Sequence, residues 1–219
     1  MNSNIDKNKV PIQVQKALTR LHNNGYQAYL VGGAVRDLLL DKTPKDWDLA
    51  TNAPLEEIEK LFQHVKIVGA SFGVALVKIG DIEMQIARFR SDGKYTDYRH
   101  PDEVNFVNDV IEDLKRRDFT INSFAWNQNK FRNIPGALDD LKAKVIRTVG
   151  NPSDRFNEDP LRMLRAIRFA VQLNMFITNG TFDEIQRKAN LIQNISAERI
   201  QEELNKILLS DDPMKGILF

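Results

Sequence analysis

Asp46 and Asp48 are the first residues of this 219-residue chain whose types and spacing point to chemistry. They alternate with apolar residues before Thr51, as in a β-strand, so both carboxylates should face the same side. Carboxylate oxygens are the ligands that Mg²⁺ prefers. Glu83, on a later predicted strand, is a candidate third carboxylate. We predict these three as catalytic residues, with Asp46 and Asp48 as ligands of Mg²⁺; the alternative for the pair is a solvated turn. One or two Mg²⁺ ions sharing substrate phosphates are what an in-line phosphoryl or nucleotidyl transfer needs.

A glycine pair, Gly32-Gly33, lies between an apolar run at Ala28 to Val31 and a predicted helix. Backbone N–H groups at such a junction can approach a phosphate, although glycine pairs also mark ordinary tight turns. Arg36 follows one helical turn later, where its guanidinium could clamp a triphosphate, and Asp37 would orient that arginine. Together with the carboxylates, this pattern predicts a metal-dependent enzyme acting on a nucleoside triphosphate.

A second group of candidate residues begins with an arginine pair, Arg116-Arg117, which offers phosphate contacts. Asp118 is predicted to cap a helix that carries Phe119, Ile121, Phe124 and Ala125. On that helix Asp118 and Asn122 would lie four residues apart on one face, where both could hydrogen-bond ribose hydroxyls. The alternative is an amphipathic helix with a solvated basic end.

A third group lies in the run from Glu158 to Val171, which has apolar residues at helical spacing. Asp159 can only accept hydrogen bonds and Arg162 can only donate them. The Watson–Crick edges of cytosine and adenine each offer an amino donor beside a ring-nitrogen acceptor, so this pair could select C and A and refuse G and U. The alternative is a surface salt bridge. We add Arg165 and Arg168 as nucleotide-binding candidates.

The composition is that of a soluble globular protein, with 42% hydrophobic and 28% charged residues. There is no cysteine, which excludes disulfides and thiolate metal sites. No signal peptide or membrane span is evident, so a cytoplasmic location and no membrane partner are predicted. The net charge of +1 restricts any RNA contact to local basic patches. The oligomeric state is left open, and a homodimer is one of the states allowed.

Four sequence blocks, in order along the chain, resemble the signatures of class II CCA-adding enzymes, which are tRNA nucleotidyltransferases with bacterial poly(A) polymerases as close relatives. The resemblance begins near residue 11 and covers nearly all of the chain. The blocks are LVGGAVRDLLL with DWDLAT, RRDFTINS, NEDPLRMLRAIRF and SAERIQEEL.

The resemblance implies a role for each block. Asp46 and Asp48 match the metal-binding carboxylates, with Glu83 a third, and Asp159 with Arg162 matches an amino-acid template that selects CTP or ATP. The triphosphate block is matched by Gly32, Gly33 and Arg36, and the block contacting phosphates and ribose by Arg116, Arg117, Asp118 and Asn122. Glu198 and Arg199 match a block that supports the template helix, and residues 136–141 match a spring-like connector.

The predicted fold is α/β, a polymerase beta-like head with a mixed five-stranded sheet in residues 1–135, followed by an all-helical neck in 136–219. Relatives continue into body and tail domains, so the chain is expected to be shortened there. A loop from Arg90 to Asn105 is kept; family members that add only cytidine lack it, which favours an enzyme able to add adenosine. The predicted partners are the tRNA 3′ end, CTP and ATP. The alternatives are A addition alone, poly(A) synthesis, an inactive RNA-binding module, and a small-molecule nucleotidyltransferase, for which the C/A-reading pair has no evident use.

Overall fold

The computed structural model describes residues 5–219, which divide into two compact units. The first unit contains the described part of Met1–Ser91, Val104–Arg116 and Asn122–Pro135. The second contains Asp92–Glu103, Arg117–Ile121 and Gly136–Phe219. Each unit therefore draws on several separate stretches of the chain.

The first unit combines a large β-sheet with short helices. Its helices are α1 (Ile12–Asn23), α2 (Gly33–Leu39), α3 (Leu55–Leu61) and α4 (Val110–Lys115). Its strands are β1 (Ala28–Val31), β2 (Asp48–Thr51), β3 (Val65–Gly69), β4 (Val74–Ile79), β5 (Ile82–Arg88), β6 (Arg90–Asp92), β7 (Val104–Phe106), β8 (Phe124–Trp126) and β9 (Phe131–Asn133), with β6 ending one residue into the second unit.

The large sheet has seven strands in the order β3-β4-β5-β2-β1-β8-β9. The β2–β5 pair is parallel and the other neighbouring pairs are antiparallel, so the sheet is mixed, as predicted. The prediction of five strands is wrong, since the sheet has seven. β1 lies between β2 and β8 in the interior of the sheet and is buried along its whole length, which explains its run of apolar residues.

The segment after Asp118 does not form the predicted helix. Thr120–Asn122 is a single 3₁₀ turn, and Phe124–Trp126 is strand β8, which pairs with β1. Its apolar residues fill a strand position between β1 and β9 instead of one face of a helix. Asp118 and Asn122 therefore do not share a helix face.

The second unit is mainly helical, as predicted for residues 136–219. Its elements are α5 (Ala137–Ala143), β10 (Val145–Ile146), α6 (Pro152–Glu158), α7 (Leu161–Gln172), β11 (Phe176–Ile177), α8 (Asn179–Lys188), α9 (Ala197–Leu208) and α10 (Pro213–Leu218). β10 and β11 form a small parallel pair, and α7 packs against both α9 and α10. None of the helices found within residues 5–219 has the length and apolar character needed to cross a bilayer.

The apolar spacing in this part of the sequence predicts one helix from Asp154 to Leu173. In the structure the helix is interrupted at Asp159-Pro160. Asp159 is extended (φ −149°, ψ 101°), because the residue before a proline is disfavoured in the helical region. Its carboxylate then accepts a hydrogen bond from the Leu161 N–H at 3.1 Å and caps α7. The break turns a predicted single helix into two, α6 and α7, with a candidate functional residue at the junction.

Candidate active site

Asp46 and Asp48 are both exposed and flank the buried Trp47 at the start of β2. Asp48 is the first residue of the strand, and Asp46 lies two residues before it. Because side chains alternate along an extended chain, the two carboxylates face the same side, as predicted. Asp48 is paired with Gln85 of β5, whose side chain is exposed, while the neighbouring pair Leu49 and Ile86 is buried. The open face of the β2–β5 pair therefore carries these carboxylates.

The donor set fits a hard divalent cation, because Mg²⁺ is usually bound by one or two carboxylates together with substrate phosphates. Within residues 5–219, no group of three His, Cys, Asp or Glu side chains is close enough together to hold a metal ion. Glu83 is exposed and lies two residues before Gln85 on β5, so it shares their face of the sheet. The structure does not bring Glu83 together with Asp46 and Asp48 into a three-carboxylate group.

The glycine pair forms the tight junction between β1 and α2. Gly32 has φ 69° and ψ −131°, a conformation that only glycine adopts readily, and its N–H donates to the carbonyl of Phe124 at 3.0 Å. That N–H is therefore used within the sheet region and not for a phosphate. Gly33 begins α2, and a Cβ placed on it would lie 3.5 Å from Nη2 of Arg36. That distance is an ordinary van der Waals contact, so Gly33 packs closely against the guanidinium of Arg36 without being required there for lack of space.

Arg36 is buried, and its guanidinium is held by two partners. Nε and Nη2 contact the carboxylate of Asp37 at 2.9 and 2.7 Å, and Nη1 donates to the side-chain oxygen of Asn122 at 2.6 Å. Asp37 therefore orients the arginine, as the sequence indicated. The contact with Asn122 joins the glycine block to the arginine block within the first unit.

The arginine block is divided between the two units. In the first, Arg116 donates through Nε and Nη2 to Asp113 at 2.9 and 2.7 Å, and Asp113 is almost fully buried. In the second, Arg117 is half-buried, and both carboxylate oxygens of Asp118 accept hydrogen bonds. Asp113 is not among the predicted site residues, although an acidic residue three positions before an arginine on a helix is a recognisable pairing signal.

Asp118 is paired with Arg165 of α7. Nε and Nη2 of Arg165 donate to Oδ2 at 3.0 and 2.6 Å, and the N–H of Phe119 donates to Oδ1 at 2.8 Å. Burial alone would lower the pKa of Arg165, but the charge of Asp118 and the hydrogen bonds to it raise that pKa above its usual value. Two predicted nucleotide-binding residues therefore bind each other, and a ribose would have to share this carboxylate.

Asp159 and Arg162 stand on either side of the break between α6 and α7, and each is held by a different partner. Oδ2 of Asp159 accepts a hydrogen bond from Nη2 of Arg199 on α9 at 2.8 Å. Nη1 of Arg162 donates to the carboxylate of Glu158 and to the backbone carbonyl of Arg155. The surface salt bridge considered as the alternative for Asp159 and Arg162 is thus not formed. Glu198, the neighbour of Arg199, is exposed.

Arg168 lies in the interior of the second unit and not on its surface. Its side chain is 10% exposed and donates to Glu203 of α9 at 3.0 Å. The guanidinium stacks over Phe169, with 4.3 Å between the guanidinium carbon and the ring centroid. The sequence contained a signal for this pair. Arg168 and Glu203 occupy the apolar stripes of their helices, at the spacing of Leu161 to Val171 and of Ile200 to Ile207.

The segment Asp92–Glu103 is held together by short-range polar contacts. The Tyr95 hydroxyl donates to Asp92 at 2.8 Å, and the Asp97 carboxylate accepts from the backbone N–H of His100 and contacts its ring. Burial, followed by the charge of Asp92, raises the pKa of Tyr95 well above its usual value; Arg162 and Glu158 are close enough to act on it as well.

Comparison with models of known protein families identifies the family of this chain. Residues 28–147 match the family described as the poly A polymerase head domain, which is more than half of the chain. The chain belongs to this family. Residues 174–218 also match a family described as a probable RNA and SrmB-binding site of polymerase A.

The chain is also similar to individual proteins along most of its length. The chain is 45% identical over 210 residues to a CCA-adding enzyme of Lactococcus lactis subsp. lactis, covering 94% of the chain and 53% of that protein. It is similar, with a TM-score of 0.87 and 35% identity, to the Bacillus stearothermophilus CCA-adding enzyme in complex with CTP, covering 94% of this chain and 50% of that one. It is also similar, with a TM-score of 0.73 and 31% identity, to a tRNA nucleotidyltransferase complexed with a primer tRNA and an incoming ATP analog. That match covers 94% of this chain and 58% of the other. The chain spans about half the length of these relatives.

Proposed function

We propose that this chain is a template-independent tRNA nucleotidyltransferase that adds C and A, from CTP and ATP, to the tRNA 3′ end and releases pyrophosphate. The observation that carries the proposal is the separate anchoring of Asp159 and Arg162 at the break between α6 and α7. A fixed acceptor beside a fixed donor can distinguish C and A from G and U by their hydrogen-bonding edges. The relatives named as CCA-adding enzymes, one of them holding CTP, support the same assignment.

The proposal divides the work between residues 1–135, as the catalytic head, and residues 136–219, as the nucleotide-selecting neck. Asp46 and Asp48 would hold Mg²⁺, for which their exposed carboxylates on one face of the sheet are suitable donors. In this two-metal transfer, one bound ion would lower the pKa of the attacking tRNA hydroxyl and the other would neutralise the pyrophosphate that leaves. Arg36, kept in place by Asp37 and Asn122, would face the triphosphate. A cytoplasmic location is part of the same proposal.

The test offers tRNAs ending before C, after C and after CC to the chain, with Mg²⁺ and each of the four nucleoside triphosphates in turn. The expected result is addition of C, C and A in order, followed by arrest. Asp46→Asn and Asp48→Asn should each lower incorporation by more than about a hundredfold while nucleotide binding is largely kept. Asp81→Asn, at the exposed β4–β5 turn, is the matched control and should leave incorporation unchanged.

A poly(A) polymerase is the second candidate, because the matching head-domain family carries that description. Growth of the product by many adenosines beyond CCA would establish it and reject the tRNA-repair assignment. Addition of A alone to tRNA ending in CC would define an A-adding enzyme of the same family. Nucleotide binding without incorporation by the unchanged chain would favour an inactive RNA-binding fragment.

A further inference from the structure

Arg162, the donor half of the base-reading pair, is held from α6 by two contacts on one nitrogen atom. Nη1 donates to Oε2 of Glu158 and to the backbone carbonyl of Arg155, the latter at 3.2 Å. These are the hydrogen bonds that the Arg162 side chain makes within residues 5–219. The donors on Nε and Nη2 are therefore the ones that can meet an acceptor on a base.

The second oxygen of Glu158 is held by Arg155. Nη2 of Arg155 lies 2.8 Å from Oε1, so the Glu158 carboxylate bridges two guanidinium groups. The side chains of Arg155 and Glu158 are each 19% exposed and that of Arg162 is 11% exposed. Burial lowers the pKa of Arg155, and the charge of Glu158 opposes that change. A half-buried cation beside a second cation is costly to maintain, and the Glu158 carboxylate between the two guanidinium groups offsets part of that cost.

We propose that Arg155 is a positioning residue that keeps the base-reading donors of Arg162 available, and so determines selectivity for CTP and ATP. This inference rests on the proposed function. A carboxylate and a guanidinium readily form two parallel hydrogen bonds. Arg155 prevents this by holding Oε1 of Glu158, so that the carboxylate engages Arg162 through Oε2. Without Arg155, Glu158 would turn both oxygens to Arg162 and take the donors that a base requires.

The acceptor half of the pair does not depend on Arg155. Asp159 is anchored by Arg199 on α9 and by the Leu161 N–H. Loss of Arg155 should therefore weaken recognition of the base and leave binding of the triphosphate group unchanged. The experiment therefore compares recognition of the base with binding of the triphosphate group, because general damage to the fold would weaken both kinds of binding.

The experiment measures equilibrium binding of CTP, ATP, UTP, GTP and inorganic tripolyphosphate to the 219-residue chain by calorimetry. Arg155→Met should raise the Kd for CTP and ATP about tenfold, the factor for one hydrogen bond to a charged group, and change that for tripolyphosphate less than about twofold. Arg155→Lys, which keeps the charge but has one donor group, should give a smaller loss. Arg187→Met is the matched control, since Arg187 pairs with Glu184 at the same three-residue spacing on α8.

A double-mutant cycle tests whether Arg155 acts through Glu158. In a Glu158→Gln background the neutral amide cannot form the paired carboxylate contact, so Arg155→Met should cost less than about threefold. Equal losses in both backgrounds, or an equal loss for tripolyphosphate, would overturn the inference. If Arg155→Met left the preference for CTP and ATP intact, the inference about Arg155 would be overturned and the proposed function would stand. Absence of any such preference in the unchanged chain would overturn the proposed function and this inference together.

Discussion

Replacing Arg168 with methionine should strongly destabilise the second unit, because the change leaves a buried carboxylate without its main partner. Glu203 is 3% exposed and accepts from Arg168 Nη1 at 3.0 Å. Its Oε2 has no hydrogen-bond partner within residues 5–219. Lys206 reaches the same Oε1 at 3.3 Å, but its side chain is about half exposed. The lysine can therefore compensate only part of the loss.

The expected loss of unfolding free energy for Arg168→Met is about 3 kcal/mol, at the lower end of the values for breaking a buried ion pair. For a chain of this length that corresponds to a fall in Tm of roughly 6–12 °C. Arg168→Met combined with Glu203→Leu replaces both charges by apolar groups. The double variant should be within about 1 kcal/mol of the unchanged chain, or more stable.

Thermal unfolding followed by circular dichroism at pH 7 measures these differences. Lys206→Met is the matched control, and its loss should stay below about 1 kcal/mol because the lysine is partly solvated. CTP affinity should be retained by the double variant, since Arg168 would act on stability and not on the nucleotide. An unchanged Tm in Arg168→Met together with weakened CTP binding would refute this reasoning and restore Arg168 as a nucleotide contact.

Two further predictions test packing and charge in the second unit. Gly216→Ala should cost about 1–3 kcal/mol of stability, because its Cβ would lie 2.3 Å from Ile207 Cγ2; Gly180→Ala, with open space around it, should cost nothing, and equal effects in thermal unfolding would contradict this account. The pKa of Asp97 is lowered to about 2, first by the backbone N–H of His100 and then by its ring. The ionised carboxylate therefore stabilises this segment above its ordinary pKa, and the contribution is lost as the pH falls toward 2. A ¹³C NMR titration should show this midpoint, whereas a midpoint near 3.8 would be inconsistent with the contact.

The strand that carries the proposed metal ligands was predictable because its signal is local. Asp46 and Asp48 alternate with buried residues, and this alternation fixes the face on which they lie whatever the rest of the sheet does. The same holds for Glu83 and Gln85 on β5. The distance between Glu83 and the two aspartates depends on the order of the strands in the sheet and on the residue at which each strand begins. The alternation of buried and exposed residues predicts neither of these.

The segment from Asp118 to Trp126 was predicted wrongly because its apolar spacing suits both a helix and a strand. The bonds that decide between them are long-range: β8 pairs with β1, almost a hundred residues earlier in the chain. The ion pairs were missed for a related reason. Asp118 meets Arg165 and Asp159 meets Arg199 across large sequence separations, whereas the break at Pro160 could have been expected from the proline alone.

The chain passes from one unit to the other after residues 91, 103, 116, 121 and 135. No single cut can therefore release either unit with all of its parts. A fragment that begins at residue 136 would lack Asp118, the partner of Arg165, and Thr120, which donates to Asp140 at 2.8 Å. The two units should thus resist separation by limited proteolysis or gene dissection, and exchange of either between relatives would need to carry the short intervening stretches with it.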